Sequence, residues 1–152
     1  MAQVVFEIDD IPVGRPRFIG TGEFQGAFIV RINQEPLQGG LEVPPQRRVD
    51  PAKSEWVVAF SNACTHMGCD VVPTTKEVDL EGTHLAGPCP CHLSTFDLSR
   101  GGITVMGPAT EALPQLRLTW ADGEERTMVA VIDWIRDGDV PYGLPYGRTL
   151  QP

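Results

Sequence analysis

The sequence has no long apolar run and few basic residues. None of its 152 residues lies in an apolar stretch long enough to form a membrane-spanning helix. Twelve Lys and Arg stand against twenty Asp and Glu, which gives a formal net charge of −8. An acidic chain of this kind is a poor binder of nucleic acid and has no polybasic patch for a membrane surface. The composition therefore argues against nucleic-acid binding and against electrostatic binding to a membrane surface.

Helical periodicity is also scarce, while turn-forming residues are abundant. The chain has 16 Gly and 14 Pro, a composition that favours an all-β, loop-rich protein. With 41% hydrophobic residues it is long enough to form one domain with a core. Alternation of apolar and polar residues predicts strands near 3–8, 26–33, 56–60, 103–105, 116–120 and 128–134. A long loop is expected over 34–53, and a hairpin within 73–82.

Cysteine and histidine are rare, but they are concentrated in two places. All four cysteines and two of the three histidines fall in residues 64–69 (CTHMGC) and 89–97 (CPCHLSTFD). We call these the first block and the second block. A nineteen-residue interval separates the last cysteine of the first block from the first cysteine of the second. Such clustering of potential ligands predicts a metal site.

The spacing within the blocks limits which metal the site would bind. Each block pairs one cysteine with one histidine, Cys64 with His66 and Cys89 with His92. A zinc finger places its two cysteines in one pair and its two histidines in the other. The mixed pairs instead fit a Rieske [2Fe–2S] centre, in which two histidines replace two cysteines on one of the irons. A zinc site and four free structural thiols are the alternatives.

Both blocks resemble the two cluster-binding loops of the Rieske family. Residues 107–110 (GPAT), which we call the proline segment, resemble the third loop that covers the cluster in that family. The resemblance implies a Rieske-type antiparallel β sandwich. It also implies one domain over 1–152, with a small cluster-binding subdomain at about 61–113 inserted in the base.

Further roles follow from the same resemblance. Cys69 and Cys91 would form a disulfide that ties the first two loops together, and Ser94 would donate a hydrogen bond to a cluster sulfur. Quinol-oxidising members commonly have a tyrosine two residues after that serine, where this chain has Phe96. One donor that raises the potential is therefore absent, and the potential is expected below the top of the Rieske range.

Three other residues of these loops are expected to shield or shape the cluster environment. Met67 would form an apolar lid over the cluster edge. Gly68 would allow a tight loop or a close backbone approach, and Pro108 would stiffen the third loop. The third histidine, His84, is not expected to be a ligand because the four positions are already filled.

A narrower resemblance links the chain to the small subunit of arsenite oxidase. It is carried by residues 10–14 (DIPVG), 107–115 (GPATEALPQ) and 146–148 (YGR). The interval between the blocks is longer here, and residues 134–145 look like an insertion. The resemblance implies an electron-transfer subunit without catalytic turnover of its own. Its partners would be a large molybdopterin-containing subunit and a soluble acceptor, such as a cytochrome c or a copper protein.

Two other functions compete with this one. The chain could be the soluble head of a quinol-oxidising cytochrome bc-type complex, or a free-standing Rieske ferredoxin. The chain as given shows no signal peptide, so a leader is expected to be absent or removed. The expected disulfide indicates an oxidising compartment, the periplasm of a bacterium. Membrane association would require an anchor beyond the sequence given.

Overall fold

The computed structural model describes residues 4–20, 24, 26–62, 73–78, 84–86, 95–106 and 112–135. Only the backbone is described for 73–78, 84–86 and 106. Within these ranges there is no α-helix; the helical segments are short 3-10 turns. No helix in the described part has the length and apolar character needed to cross a membrane.

Eleven strands make up about half of the described residues. In order they are β1 (Val4–Glu7), β2 (Arg17–Ile19), β3 (Ala27–Ile32), β4 (Leu41–Glu42), β5 (Trp56–Ser61), β6 (Pro73–Val78), β7 (His84–Ala86), β8 (Thr95–Asp97), β9 (Ile103–Met106), β10 (Gln115–Trp120) and β11 (Met128–Trp134). All their pairings are antiparallel. Within the described ranges, the one parallel pairing is an isolated bridge between Val13 and Arg31. The expected all-β class with antiparallel sheets is confirmed.

Seven strands form a large sheet around β5. The order is β1-β11-β10-β5-β3-β2, and β4 also pairs with β5. One edge of β5 is paired with β3 along its whole length. The opposite edge is divided, because β10 pairs with its last residues and β4 with its first. The strand β5 is therefore the centre of the sheet, and it leads directly into the first block.

Four strands form a small sheet in the order β6-β7-β8-β9. These strands run from Pro73 to Met106, within the 61–113 segment predicted to form the subdomain. The polar stretch expected to be a hairpin provides β6, which pairs with β7. The boundaries of the domain and of the inserted subdomain stay predictions.

Two apolar clusters cover the two faces of β3 and β5. The inner cluster lies between strands of the large sheet and includes Ile29, Ala59, Leu116, Val131 and Trp134. The outer cluster lies on the other face of β3 and β5, where residues of the small sheet join it. Its members are Phe28, Val30, Ile32, Val58, Phe60, Phe96, Leu98 and Leu113. The small sheet is thus packed on the large one by buried apolar side chains.

The long loop after β3 is held by a buried ion pair. Arg31 and Glu55 are 4% and 1% exposed and contact each other through a guanidinium nitrogen and a carboxylate oxygen. The other carboxylate oxygen of Glu55 accepts a hydrogen bond from the Val49 amide at 2.8 Å. Arg31 also donates to the carbonyl oxygens of Ile8 and Arg47, at 3.3 and 2.9 Å. A charged pair in the interior therefore joins three separate segments of the chain.

Several local expectations need correction. The loop expected over 34–53 contains the short strand β4, and β2 was not expected at all. The alternation of apolar and polar residues also fails at Arg31 and Gln115, two polar residues of strands that are both buried. Gln115 is 0% exposed because its side-chain nitrogen donates to the Gln38 carbonyl oxygen at 2.9 Å, which satisfies the buried amide. The alternation over β10 is otherwise confirmed, with Leu116 and Leu118 buried.

Replacing Glu55 by Ala should destabilise the fold strongly, because Arg31 would remain buried without a counter-charge. Loss of one partner of a buried pair costs about 3–5 kcal/mol in unfolding free energy. The matched control is Asp9→Ala, which breaks the surface pair with Arg47 at 3.1 Å, whose side chains are 60% and 38% exposed. That change should cost about 1 kcal/mol or less. Urea unfolding of both variants measures the difference, and equal costs would contradict the buried-pair argument.

Candidate metal centre

The predicted ligands lie outside the described residues. So do the other residues expected to shape the site, with one exception. The site residues outside the described ranges are Cys64, His66, Met67, Gly68, Cys69, Cys89, Cys91, His92, Ser94 and Pro108. The exception is Phe96, in β8. The structure therefore bears on the site through the elements that lead into it and out of it.

Four of these connections lie at one end of the small sheet. Pro73 pairs with Ala86, and Ala86 pairs with Phe96. Thr95 in turn pairs with Met106. The start of β6, the end of β7, the start of β8 and the end of β9 are therefore neighbours. At this end the chain enters β6 after the first block and leaves β7 towards the second block. It enters the sheet again at Thr95, within the second block, and leaves β9 into the proline segment.

The large sheet supplies the remaining connections. The chain leaves β5 towards the first block at Asn62, whose amide donates to the Gly26 carbonyl oxygen at 2.7 Å. The preceding amide, of Ser61, donates to the carbonyl oxygen of Pro114 at 2.8 Å. Pro114 follows the proline segment in the chain, so the entry of the first predicted loop is hydrogen-bonded to the exit of the third.

Phe96 is 0% exposed and belongs to the outer cluster. Its ring packs on the apolar face formed by residues of β3 and β5, while its backbone pairs with Thr104 in β9. The neighbouring Thr95 is 7% exposed. The end of the second block is thus anchored by a buried aromatic side chain, which is consistent with a role in fixing the local geometry.

A tight turn follows Phe96 and is closed by Asp97. One carboxylate oxygen of Asp97 accepts hydrogen bonds from the Ser99 amide at 3.0 Å and the Ser99 hydroxyl at 2.7 Å. The Asp97 carbonyl oxygen accepts from the Gly102 amide at 2.9 Å. The Ser99 carbonyl oxygen accepts from the Leu37 amide at 2.9 Å, so the long loop of the large sheet also contacts this turn.

Six acidic residues gather at the other end of the large sheet. They lie around β1 and in the β10–β11 turn, where the Ile8 amide donates to the Thr127 carbonyl oxygen at 2.8 Å. The six are Glu7, Asp9, Asp10, Asp122, Glu124 and Glu125. The six residues of β10 separate this acidic end from Ser61, a distance of roughly 20 Å at strand spacing.

One carboxylate in this acidic end has a shifted pKa. Burial acts to raise the pKa of Asp122, but hydrogen bonds from the Thr127 hydroxyl and amide outweigh it and hold that pKa below its usual range. Asp122 therefore stays ionised. These six are part of the twenty acidic residues of the chain, and others, such as Asp70 and Glu111, lie next to the predicted loops in the sequence. The net charge of −8 therefore does not by itself indicate where a partner would dock.

The donor set of the two blocks fits a Rieske cluster. Two cysteines and two histidines supply two thiolates and two neutral imidazoles, the combination that such a cluster requires. The strand pairings above bring the ends of both blocks to one region of the protein. The residues Cys64, His66, Cys89 and His92 would hold the cluster.

Comparison with protein families decides the family. The Rieske [2Fe-2S] domain model matches residues 2–117, most of the chain. The chain belongs to the Rieske [2Fe–2S] family. Its cofactor is accordingly a Rieske [2Fe–2S] cluster, whose chemistry is the transfer of single electrons.

Similar proteins come from several Rieske-containing systems. The chain is 42% identical over 82 residues to the cytochrome bc1 complex Rieske iron-sulfur subunit of Streptomyces lividans, covering 51% of this chain and 45% of that protein. It is 38% identical over 96 residues to the iodate reductase subunit IdrB of Pseudomonas sp. (strain SCT), covering 63% and 44%. The chain therefore spans less than half the length of these relatives.

A solved structure is also similar. It is the soluble domain of the Rieske protein II (soxF) from Sulfolobus acidocaldarius, with 23% sequence identity and a TM-score of 0.42. The match covers 78% of this chain and 68% of that chain.

Sequence reasoning overlooked two residues that pack next to the ends of the predicted loops. Gly102 and Leu113 were not singled out, although the Leu113 amide donates to the Gly102 carbonyl oxygen at 2.8 Å. The signal for Gly102 was the pair of consecutive glycines at 101–102, which is typical of a backbone with positive φ. Both glycines do have positive φ, at 70° and 76°.

Replacing Phe96 by Tyr should raise the reduction potential of the cluster. An added hydroxyl that donates to a cluster or ligand sulfur would stabilise the reduced state. Phe28→Tyr is the matched control, because Phe28 is equally buried in the outer cluster but lies on β3. Potentiometry of the two variants checks the expectation. A potential in Phe96→Tyr no higher than that in Phe28→Tyr would show that Phe96 does not tune the cluster.

Replacing His92 by Cys should remove the characteristic Rieske spectrum, either by converting the site to a lower-potential cluster or by preventing its assembly. His84→Ala is the control, since His84 lies in β7 and is not a predicted ligand. Absorption and electron paramagnetic resonance spectra of both purified variants make the comparison. An unaltered Rieske spectrum in His92→Cys would overturn the ligand assignment.

Proposed function

We propose that this chain is the electron-transfer subunit of a periplasmic oxidoreductase complex resembling arsenite oxidase. A large molybdopterin-containing subunit would bind and turn over the substrate. The Rieske subunit would exchange single electrons with that partner, and with a soluble cytochrome c or copper protein. In this proposal the chain has no catalytic turnover of its own.

The observation that carries the proposal is a double likeness to subunits of oxyanion-metabolising complexes. Residues 10–14 and 107–115 resemble the small subunit of arsenite oxidase, and a relative of this chain is a subunit of an iodate reductase. Another relative is named as a putative respiratory nitrate reductase Rieske subunit. Arsenite, iodate and nitrate are all small oxyanions. A small oxyanion is therefore the proposed substrate class of the partner subunit.

The role of this chain is to hold the cluster in fixed surroundings. We propose that Cys64 and Cys89 bind one iron and that His66 and His92 bind the other. Cys69 and Cys91 would form a disulfide between the two loops, which suits the oxidising periplasm. The buried anchor Phe96 and the hydrogen bonds at Ser61 would keep the loops from shifting when the charge of the cluster changes.

A quinol-oxidising function is the second candidate. It is favoured by the 42% identity to a cytochrome bc1 complex Rieske subunit. The residue at position 96 speaks against it, because a buried Phe cannot supply the hydroxyl that quinol-oxidising members commonly place there. A free-standing ferredoxin is the third possibility, and it would need no fixed partner.

Isolation of the native complex under mild conditions separates these functions. Molybdenum, iron and haem are quantified together in the fraction that contains this chain. We expect molybdenum and a large subunit to co-purify with it. Addition of arsenite should then reduce the cluster, or addition of iodate should reoxidise it, as followed by the Rieske absorption bands.

Each other result selects a different function. Haem b, together with reduction of the cluster by a quinol, would assign the chain to a cytochrome bc-type complex. Iron alone, at about two atoms per chain, would identify a free carrier. Either outcome would overturn the proposal of an oxyanion-metabolising complex.

A further inference from the structure

Gly102 lies where there is no space for a side chain. A Cβ atom on this residue would be 2.7 Å from the Leu113 carbonyl oxygen, 2.8 Å from Cε1 of Phe60 and 3.1 Å from the Leu113 Cβ. The first of these atoms belongs to the backbone and cannot rotate away. The φ of +76° also disfavours any residue with a Cβ. Close packing and backbone conformation both require glycine here.

The three residues in this contact belong to the three elements that carry the predicted cluster loops. Phe60 is in β5, which ends three residues before the first block begins. Leu113 follows the proline segment. Gly102 lies in the turn between β8, which ends the second block, and β9, which leads to the proline segment. The contact therefore joins the β8–β9 turn of the small sheet to the chain entering the first loop and to the chain leaving the third.

A series of backbone hydrogen bonds runs through the same contact. The Ser61 amide donates to the Pro114 carbonyl oxygen at 2.8 Å, and the Leu113 amide donates to the Gly102 carbonyl oxygen at 2.8 Å. The Gly102 amide then donates to the Asp97 carbonyl oxygen at 2.9 Å. Each of these lengths is typical of a well-formed bond. A displacement of Gly102 would therefore also move Leu113 and Asp97, to which its backbone is hydrogen-bonded.

The surrounding side chains leave little room for adjustment. Phe60 and Leu113 are both 0% exposed and belong to the outer cluster. Buried interiors are packed at crystal-like density, so an added methyl group forces neighbouring groups to move. At Gly102 the groups that must move are Phe60, just before the first loop, and Leu113, just after the third.

We propose that Gly102 is a positioning residue for the Rieske cluster. Its packing against Phe60 and Leu113 sets the spacing of the segments that hold the loops, and this spacing fixes the hydrogen bonds around the cluster that set its reduction potential. The inference rests on the ligand blocks of the proposed function. It goes beyond them because it assigns the potential to a residue that binds neither iron nor sulfur.

The test compares Gly102→Ala with Gly123→Ala in the full chain loaded with its cluster. Gly123 also has a positive φ, of +66°, but a Cβ there would meet no atom within 4 Å. Both variants therefore introduce similar backbone strain, and only Gly102→Ala introduces the clash. Potentiometry and electron paramagnetic resonance measure the outcome.

We expect Gly102→Ala to lower the reduction potential and to shift the electron paramagnetic resonance spectrum, because loosened loops lose hydrogen bonds to sulfur. Gly123→Ala should keep the potential and the spectrum of the original protein while losing some thermal stability. A fully loaded Gly102→Ala variant with an unchanged potential and spectrum would overturn the proposal.

A second pair of variants serves if Gly102→Ala does not fold or take up a cluster. Phe60→Leu removes the ring from the Gly102 contact, and Phe28→Leu removes an equally buried ring of the same cluster, with ring centroids 6.3 Å apart. The potential should change in Phe60→Leu and stay constant in Phe28→Leu; equal potentials in the two would overturn the proposal. Failure of the ligand assignment is separate, since it appears in the His92→Cys spectrum.

Discussion

Burial of β3 and β5 on both faces is the constraint on which the rest of this structure depends. Their sequences, AFIVRI and WVVAFS, are almost continuously apolar, and each residue of β3 is buried. One face contacts the inner cluster and the other contacts the outer cluster. Since no face of this strand pair can be left in water without a large loss of hydrophobic stabilisation, the small sheet has to pack where it does. The position of the predicted metal centre is thereby set by the core of the large sheet.

The buried polar groups of this core hold the long loop between β3 and β5 in place. The Arg31–Glu55 pair joins the ends of the long loop to the body of the large sheet. Further along the same loop, Leu37 is hydrogen-bonded to Ser99 in the turn between β8 and β9, and Gln38 to Gln115 in β10. A loop tied at so many points is a structural connector between the two sheets.

The parts of this protein that could be predicted from sequence are those encoded over short distances. The two Cys/His blocks are each a few residues long, so the family and its cofactor follow from local spacing. Strands with clear alternation, such as β10 and β11, were also predicted close to their observed limits. The ligand identities and the disulfide stay predictions, because their residues lie outside the described ranges.

The parts that could not be predicted depend on partners far apart in the sequence. The strand β4 is two residues long and exists because it pairs with β5, some fifteen residues later in the chain. Gln115 is buried because a carbonyl oxygen 77 residues away accepts its hydrogen bond. No local pattern distinguishes such a glutamine from an exposed one. Long-range register, and not propensity, determined these features.

The same long-range contacts give the protein a frame suited to electron transfer. Ligands from two separate loops must keep their positions while the cluster gains and loses an electron, and loops are the most mobile parts of most proteins. In this chain the loop exits are held by strand pairing at one end of the small sheet, and by hydrogen bonds from Ser61 and Leu113. Six of the twenty acidic residues lie roughly 20 Å away, at the far end of β10. The support of the loops thus comes from backbone pairing and buried packing, and not from surface charge.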